Sequence, residues 1–153
     1  MNKNIIVLFI SALSILQVIA ETIDKCTLAQ NLLDAGVSRN LLDDWVCVAG
    51  SESSYRTHIV TGPNKNKSYD YGLFQINSKW WCKRDGATSH NGCNVNCDDL
   101  LNNVPKSIEC ALKVYNSSKN KFAAWYGWRN KCKPPNDSMK NDISQYLKTK
   151  CGL

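Results

Sequence analysis

Along this chain apolar positions recur at helical spacing on either side of one stretch that alternates like strand. In CTLAQNLLDAG, Leu28, Leu32 and Ala35 share one face and Gly36 stops the run, which predicts a first helix. LLDDWVCVAGSES repeats Leu41, Leu42, Trp45, Val46, Val48 and Ala49 with the same period and predicts a second, largely apolar helix that ends near Glu52. HIVTGPNKNKSYDYGLFQINS then changes character, with two β-rich stretches around a Gly-Pro-Asn turn cluster, the pattern of an antiparallel hairpin. After a cysteine-rich loop, PKSIECALKVYNS places Pro105 at a first helical position and repeats Ile108, Ala111, Leu112 and Tyr115. FAAWYGWRNKC reads as a shorter apolar helix and NDISQYLKTKC as a weaker one. With no internal repeat and no low-complexity linker, this order predicts an α+β fold: a larger helical lobe, a small antiparallel β lobe, and a cleft between them where a ligand would bind.

The first twenty residues stand apart. MNKNIIVLFISALSILQVIA has a basic start at Lys3, an apolar run from Ile5 and small Ala20 two residues after Val18, the layout of a secretory signal peptide cleaved after Ala20. The run is short for a bilayer span and is broken by Ser11, Ser14 and Gln17, which argues against an anchor. Residues 21–153 then form a single secreted domain. Without Lys3 it carries 18 Lys and Arg against 13 Asp and Glu, a net charge of +5 that draws it to anionic surfaces. The basic residues are scattered, with no basic block and no aromatic-interleaved RNA motif, so nucleic acid is not an expected partner. No strongly amphipathic basic helix stands out, so stable membrane insertion is not expected either.

All eight cysteines, Cys26, Cys47, Cys82, Cys93, Cys97, Cys110, Cys132 and Cys151, lie in the exported part. An even count in a secreted chain predicts four disulfides, in any of 105 pairings as far as spacing tells. The tightest cluster, Cys82 to Cys110 with His90 nearby, contains no CxxC pair, which counts against zinc.

Candidate chemistry starts from two acids. Glu52 closes an apolar helix, where the negative end of the dipole and the apolar surroundings both disfavour its charged form and so favour a protonated carboxylic acid. Asp70 sits amid Tyr69, Gln75 and Asn77, a polar setting that suits an anion. An acid that donates a proton and an anion that faces a cationic, oxocarbenium-like centre are what cleavage of a glycosidic bond requires. Of the adjacent Trp80 and Trp81, placed on a strand, one would enter the core while the other stacks on a sugar face, and Gln75 and Asn77 offer amides to acetamido or hydroxyl groups. By spacing alone, Trp125 and Trp128 read as core.

The segments CTLAQNLL, DDWVCVAGSESSY, DYGLFQINSKWWC and AWYGWRNKC, in this order and at these separations, resemble the c-type lysozymes from about Cys26 to Cys151, all eight cysteines included. The resemblance implies a muramidase that hydrolyses the bond between N-acetylmuramic acid and N-acetylglucosamine in bacterial peptidoglycan by a retaining mechanism, with chitin oligomers as further carbohydrate ligands. It assigns Glu52 as general acid and Asp70 as nucleophile or electrostatic stabiliser, Trp125 as the tryptophan that keeps the acid's surroundings apolar, and Gln75, Asn77, Trp80, Trp81 and Ala124 as sugar-contacting positions. It implies the pairs Cys26 with Cys151, Cys47 with Cys132, Cys82 with Cys97 and Cys93 with Cys110, a monomer, and no cofactor. Some positions depart from the family pattern. Ser118 stands where many members carry an acid that helps hold the outermost sugars, and DDLLNNVPKSIEC lacks the consecutive acids that bind calcium in certain members, so no structural metal is expected. NKS at Asn66, NSS at Asn116 and NDS at Asn136 are glycosylation sequons; a glycan on Asn66 would lie near the hairpin, where it could hinder polymer access.

Overall fold

The computed structural model describes residues 22–119 and 121–153; the leader expected at 1–20 lies outside the described residues. Helix α1 (Lys25–Asp34) begins at Asp24, whose carboxylate accepts the N–H groups of Cys26 and Thr27 that the first turn leaves without partners. A 3-10 turn over Arg39–Leu41 runs into α2 (Leu42–Ser53). This helix is buried on nearly every side, from Leu42 through Trp45, Val46, Val48 and Ala49 to Ser53, which makes it the axis of the helical lobe. It ends with Ser54 in the left-handed conformation, its N–H closing on the Ala49 and Gly50 carbonyls. Helix α3 (Val104–Ser117) is capped by Asn103 and starts one residue ahead of Pro105. Helices α4 (Tyr126–Lys131) and α5 (Ser138–Tyr146) follow, and a π-type turn over Leu147–Cys151 ends the chain against α1.

Two expectations need correcting here. The region read as one hairpin is a three-stranded antiparallel sheet in the order β1 (Val60–Thr61), β2 (Asp70–Tyr71), β3 (Ile76–Asn77). The second β-rich stretch turns back on itself between Gly72 and Gln75, both at positive φ, and so buries Leu73 and Phe74 in the turn. FAAWYGWRNKC, read as one helix, is a 3-10 turn over Lys121–Ala124, a break at Trp125 in extended backbone, and then α4. The break turns the indole inward, where its Nε1–H donates to the Phe74 carbonyl at 2.9 Å; that tie between the lobes outweighs the local preference for continuous helix.

The core is continuous across both lobes. Trp45 on α2 lies within 5.0–5.7 Å of the rings of Phe74, Tyr115, Phe122 and Trp125, mostly edge to face. Four disulfides join Cys26 to Cys151, Cys47 to Cys132, Cys82 to Cys97 and Cys93 to Cys110, the pairs that the resemblance implies. The first two tie α1 and α2 to the C-terminal segments across 125 and 85 residues; the last two brace the loop between the sheet and α3. Asp44, almost buried on α2, accepts from Trp128 Nε1 at 2.7 Å and from Lys140 Nζ at 2.8 Å, so one carboxylate joins α2 to α4 and α5.

Candidate active site

Glu52 projects from the last turn of α2 toward the start of α4, where the backbone N–H of Gly127 donates to its Oε1 at 2.7 Å. Burial is the main influence on this carboxyl and lifts its pKa above the ordinary glutamate range. The Gly127 bond opposes the rise, the charge of Asp70 adds to it, and Lys131 and Arg129 act against it more weakly. Glycine at 127 permits the approach: a Cβ there would stand 2.8 Å from Glu52 Oε1 and 2.5 Å from Ser51 Oγ. The result is a carboxylic acid that keeps its proton to higher pH than an exposed one and is held by a fixed backbone donor.

Asp70 lies in β2, paired in register with Thr61 on β1 and Asn77 on β3. Asn77 Nδ2 donates to one carboxylate oxygen at 2.7 Å and Asn64 Nδ2 to the other at 2.9 Å. Both amides also donate to Ser68 Oγ, at 2.8 and 3.0 Å, and that hydroxyl donates to Asn66 Oδ1 at 2.7 Å. One donor on each oxygen fixes the plane of the carboxylate, which has only acceptors to offer.

The two acids line one cleft of about 400 Å³ between the lobes. Its walls include Gln75, Asn77, Trp81, Ala124 and Trp125, so seven of the eight catalytic and sugar-contacting positions expected from the sequence come together there. Trp80 does not. The tandem tryptophans occupy a turn after β3, not the strand assumed for them, and Trp80 faces outward, stacked on His90 with ring centroids 4.7 Å apart. Gln75 is in the wall, but its amide is engaged with the protein: Nε2 donates to the Gly72 carbonyl, and Oε1 accepts from Thr61. Trp128 and Trp125 both hold buried or half-buried positions through their N–H groups, and only Trp125 reaches the cleft.

Sequence reasoning missed several participants. Asn64, Ser68 and Gly127 position the two carboxylates, and Thr61, Ile76, Val114 and Tyr126 complete the walls. Gly127 alone left a local signal, a glycine inside an apolar helical run where alanine would be favoured. A larger concavity of about 480 Å³, flanked by the Lys106–Asp99 and Lys113–Glu109 ion pairs, contains neither acid and none of the sugar-contacting positions. The smaller space is where the two acids and the expected sugar-contacting positions converge.

Comparison with known proteins agrees with this geometry. The model of the C-type lysozyme/alpha-lactalbumin family matches residues 21–146. A lysozyme of Galleria mellonella is 46% identical over 123 residues, covering 78% of this chain and 99% of that one, and lysozyme X of Drosophila melanogaster is 46% identical over 113 residues, 72% and 78% of the two. Among solved structures, the lysozyme from Equus asinus superposes with a TM-score of 0.74 at 39% identity over 87% of this chain and all of that one. Apo canine milk lysozyme superposes with a TM-score of 0.75 at 39% identity over the same shares. The chain belongs to the C-type lysozyme/alpha-lactalbumin family, and within it stands with the lysozymes, which are glycoside hydrolases.

Proposed function

We propose that this chain is a secreted muramidase that cuts the β-1,4 bond between N-acetylmuramic acid and N-acetylglucosamine in bacterial peptidoglycan, with retention of configuration and a bacteriolytic outcome. The observation that supports it best is the unlike environment of two carboxyls across one cleft: Glu52 buried with its pKa raised, Asp70 hydrogen-bonded through both oxygens. Glu52 protonates the glycosidic oxygen as the bond breaks. Asp70 faces the cationic sugar carbon and forms the glycosyl intermediate or stabilises its charge, after which Glu52 takes a proton from the incoming water. Trp81 and Trp125 give the sugar rings apolar surface, and Asn77 and Ala124 bound the same stretch. The cleft is built within one chain, so a monomer suffices. The net positive charge of the exported chain favours approach to acidic wall polymers, and chitin oligomers share the acetamido sugars that the cleft would hold.

The test is clearing of a suspension of peptidoglycan-rich walls by the exported protein and by Glu52→Gln, scanned across pH at low salt. Clearing by the first and none by the second supports the reading. Binding of chitin oligomers without clearing at any pH overturns it and leaves a carbohydrate-binding module.

A further inference from the structure

Of the three sequons, one is built into the β lobe in a way that separates the atom a glycan would use from the atom the fold uses. Asn66, Lys67 and Ser68 lie in the turn between β1 and β2, with Lys67 at φ 64° and the Asn66 side chain exposed. Asn66 Oδ1 accepts two bonds, from the backbone N–H of Ser68 at 3.1 Å and from its hydroxyl at 2.7 Å. Ser68 is buried, and its Oγ in turn accepts from the amides that hold Asp70. All these contacts run through Oδ1; none of the side chain's described bonds involves Nδ2.

Asn66 also borders a shallow groove of about 280 Å³, with Lys67, Ser68, Ser78, Lys79, Ala87 and Thr88 as its neighbours. None of these residues lines the catalytic cleft. The other two sequons differ. Asn116 sits in the last turn of α3, where Ser117 bonds back to the Val114 carbonyl, and Asn136 follows two prolines and has Asp137 at the middle position.

We propose that Asn66 is an N-glycosylation site whose carbohydrate lies on the outer face of the β lobe, away from the cleft. This rests on the secretory route proposed above. The donor is a polyprenyl-pyrophosphate-linked oligosaccharide. Nδ2 forms a bond to C1 of its first N-acetylglucosamine, the C1–O bond to pyrophosphate breaks, the lipid pyrophosphate leaves with the electron pair, and the amide nitrogen gives up one proton. Oδ1 is untouched, so the Ser68 bonds and the Asn64 and Asn77 support of Asp70 survive the modification. On this placement the cleft stays open where sequence proximity predicted obstruction, because Asn66 borders the groove with Ser78 and Thr88 while Asp70 lines the cleft.

The experiment expresses the full chain in a eukaryotic secretory host and reads intact mass and peptide maps before and after release by a peptide amidase in heavy-oxygen water, which converts a glycosylated asparagine to labelled aspartate. Label at Asn66, and loss of that glycan mass in Asn66→Asp, which keeps an Oδ1 acceptor and destroys the sequon, is the expected result. An unlabelled Asn66, whether or not Asn116 or Asn136 carries sugar, overturns the assignment. For placement, the glycosylated protein is compared with the same protein trimmed to its first sugar by an endoglycosidase. Wall-clearing rates within about two-fold support the outer face, and a rise above about five-fold on trimming overturns it. If neither form clears walls, the muramidase reading fails, and the mass result still decides the site.

Discussion

Trp125 both bonds to the Phe74 carbonyl and lines the cleft beside Glu52, so Trp125→Phe should show a structural and a functional effect together. The substitution removes the Nε1–H donor and leaves the Phe74 carbonyl, buried beneath the cleft, without the bond it makes at 2.9 Å. An abandoned buried acceptor costs about 1–3 kcal/mol. The smaller ring withdraws apolar contact next to Trp45, whose centroid lies 5.4 Å away, for roughly 1 kcal/mol more. A total of about 3 kcal/mol corresponds to a fall in Tm of roughly 10 °C for a domain of this size. The functional effect runs through Glu52. Burial is the main reason its pKa is raised, and the indole is part of the wall that excludes water beside it. A smaller ring admits water, so the pKa of Glu52 falls back toward the ordinary range. Since the acid must be protonated to work, activity is lost as pH rises through that pKa, and in the variant the alkaline limb of the profile should move to lower pH. Calorimetry gives the first number and wall clearing scanned across pH the second. A fall in Tm under about 3 °C would show that the Phe74 bond is not structural. An alkaline limb that stays in place or moves upward would refute the claim that this wall sets the acid's environment.

The linkage at Glu52 has a second consequence with a definite sign. Because its folded pKa is raised, the folded state holds more protons than the unfolded one between the ordinary glutamate pKa and the raised value, so stability falls as pH climbs through that window. Glu52→Gln removes that fall; its stability advantage over the parent, measured by guanidinium unfolding, should grow from acid to neutral pH, and a flat difference would contradict the burial argument. Trp81→Ala should weaken binding of chitin oligomers about ten-fold, near 1.4 kcal/mol, whereas Trp80→Ala should change it by less than about two-fold because that ring stacks on His90 and is not among the residues lining the space between the acids; calorimetric titration of both variants decides. Asp44→Asn should lower stability by about 2 kcal/mol, since one charge-assisted bond to Trp128 or Lys140 is lost where solvent replaces it poorly. Chemical unfolding at neutral pH measures this, and a loss under about 0.5 kcal/mol would mean that the Lys140 contact is as weak as an exposed ion pair.

The local signals in the chain account for a definite share of this protein. Apolar periodicity set α1, α2 and α3 and left Glu52 at the end of α2; turn residues marked the β lobe; the even cysteine count in a chain with a secretory leader predicted four disulfides. The resemblance carried by four short segments then named the chemistry and the pairings. These features are readable because helix and strand periods repeat within a few residues, and motif residues keep their order along the chain. What periodicity could not reach was decided by contacts between distant residues. The Gly127 N–H meets Glu52 across 75 positions, and the Trp125 indole meets Phe74 across 51. That second contact breaks an apolar run which, on its own, prefers to stay helical. Asn64 and Ser68 look like ordinary turn residues until the sheet folds them against Asp70. Trp80 and Trp81 are neighbours of the same type, yet one faces the cleft and the other His90, because the chain leaves the sheet at Asn77 before reaching them. Burial, which raises the pKa of Glu52, belongs to the space that both lobes enclose, and that space exists only once they have packed around Trp45.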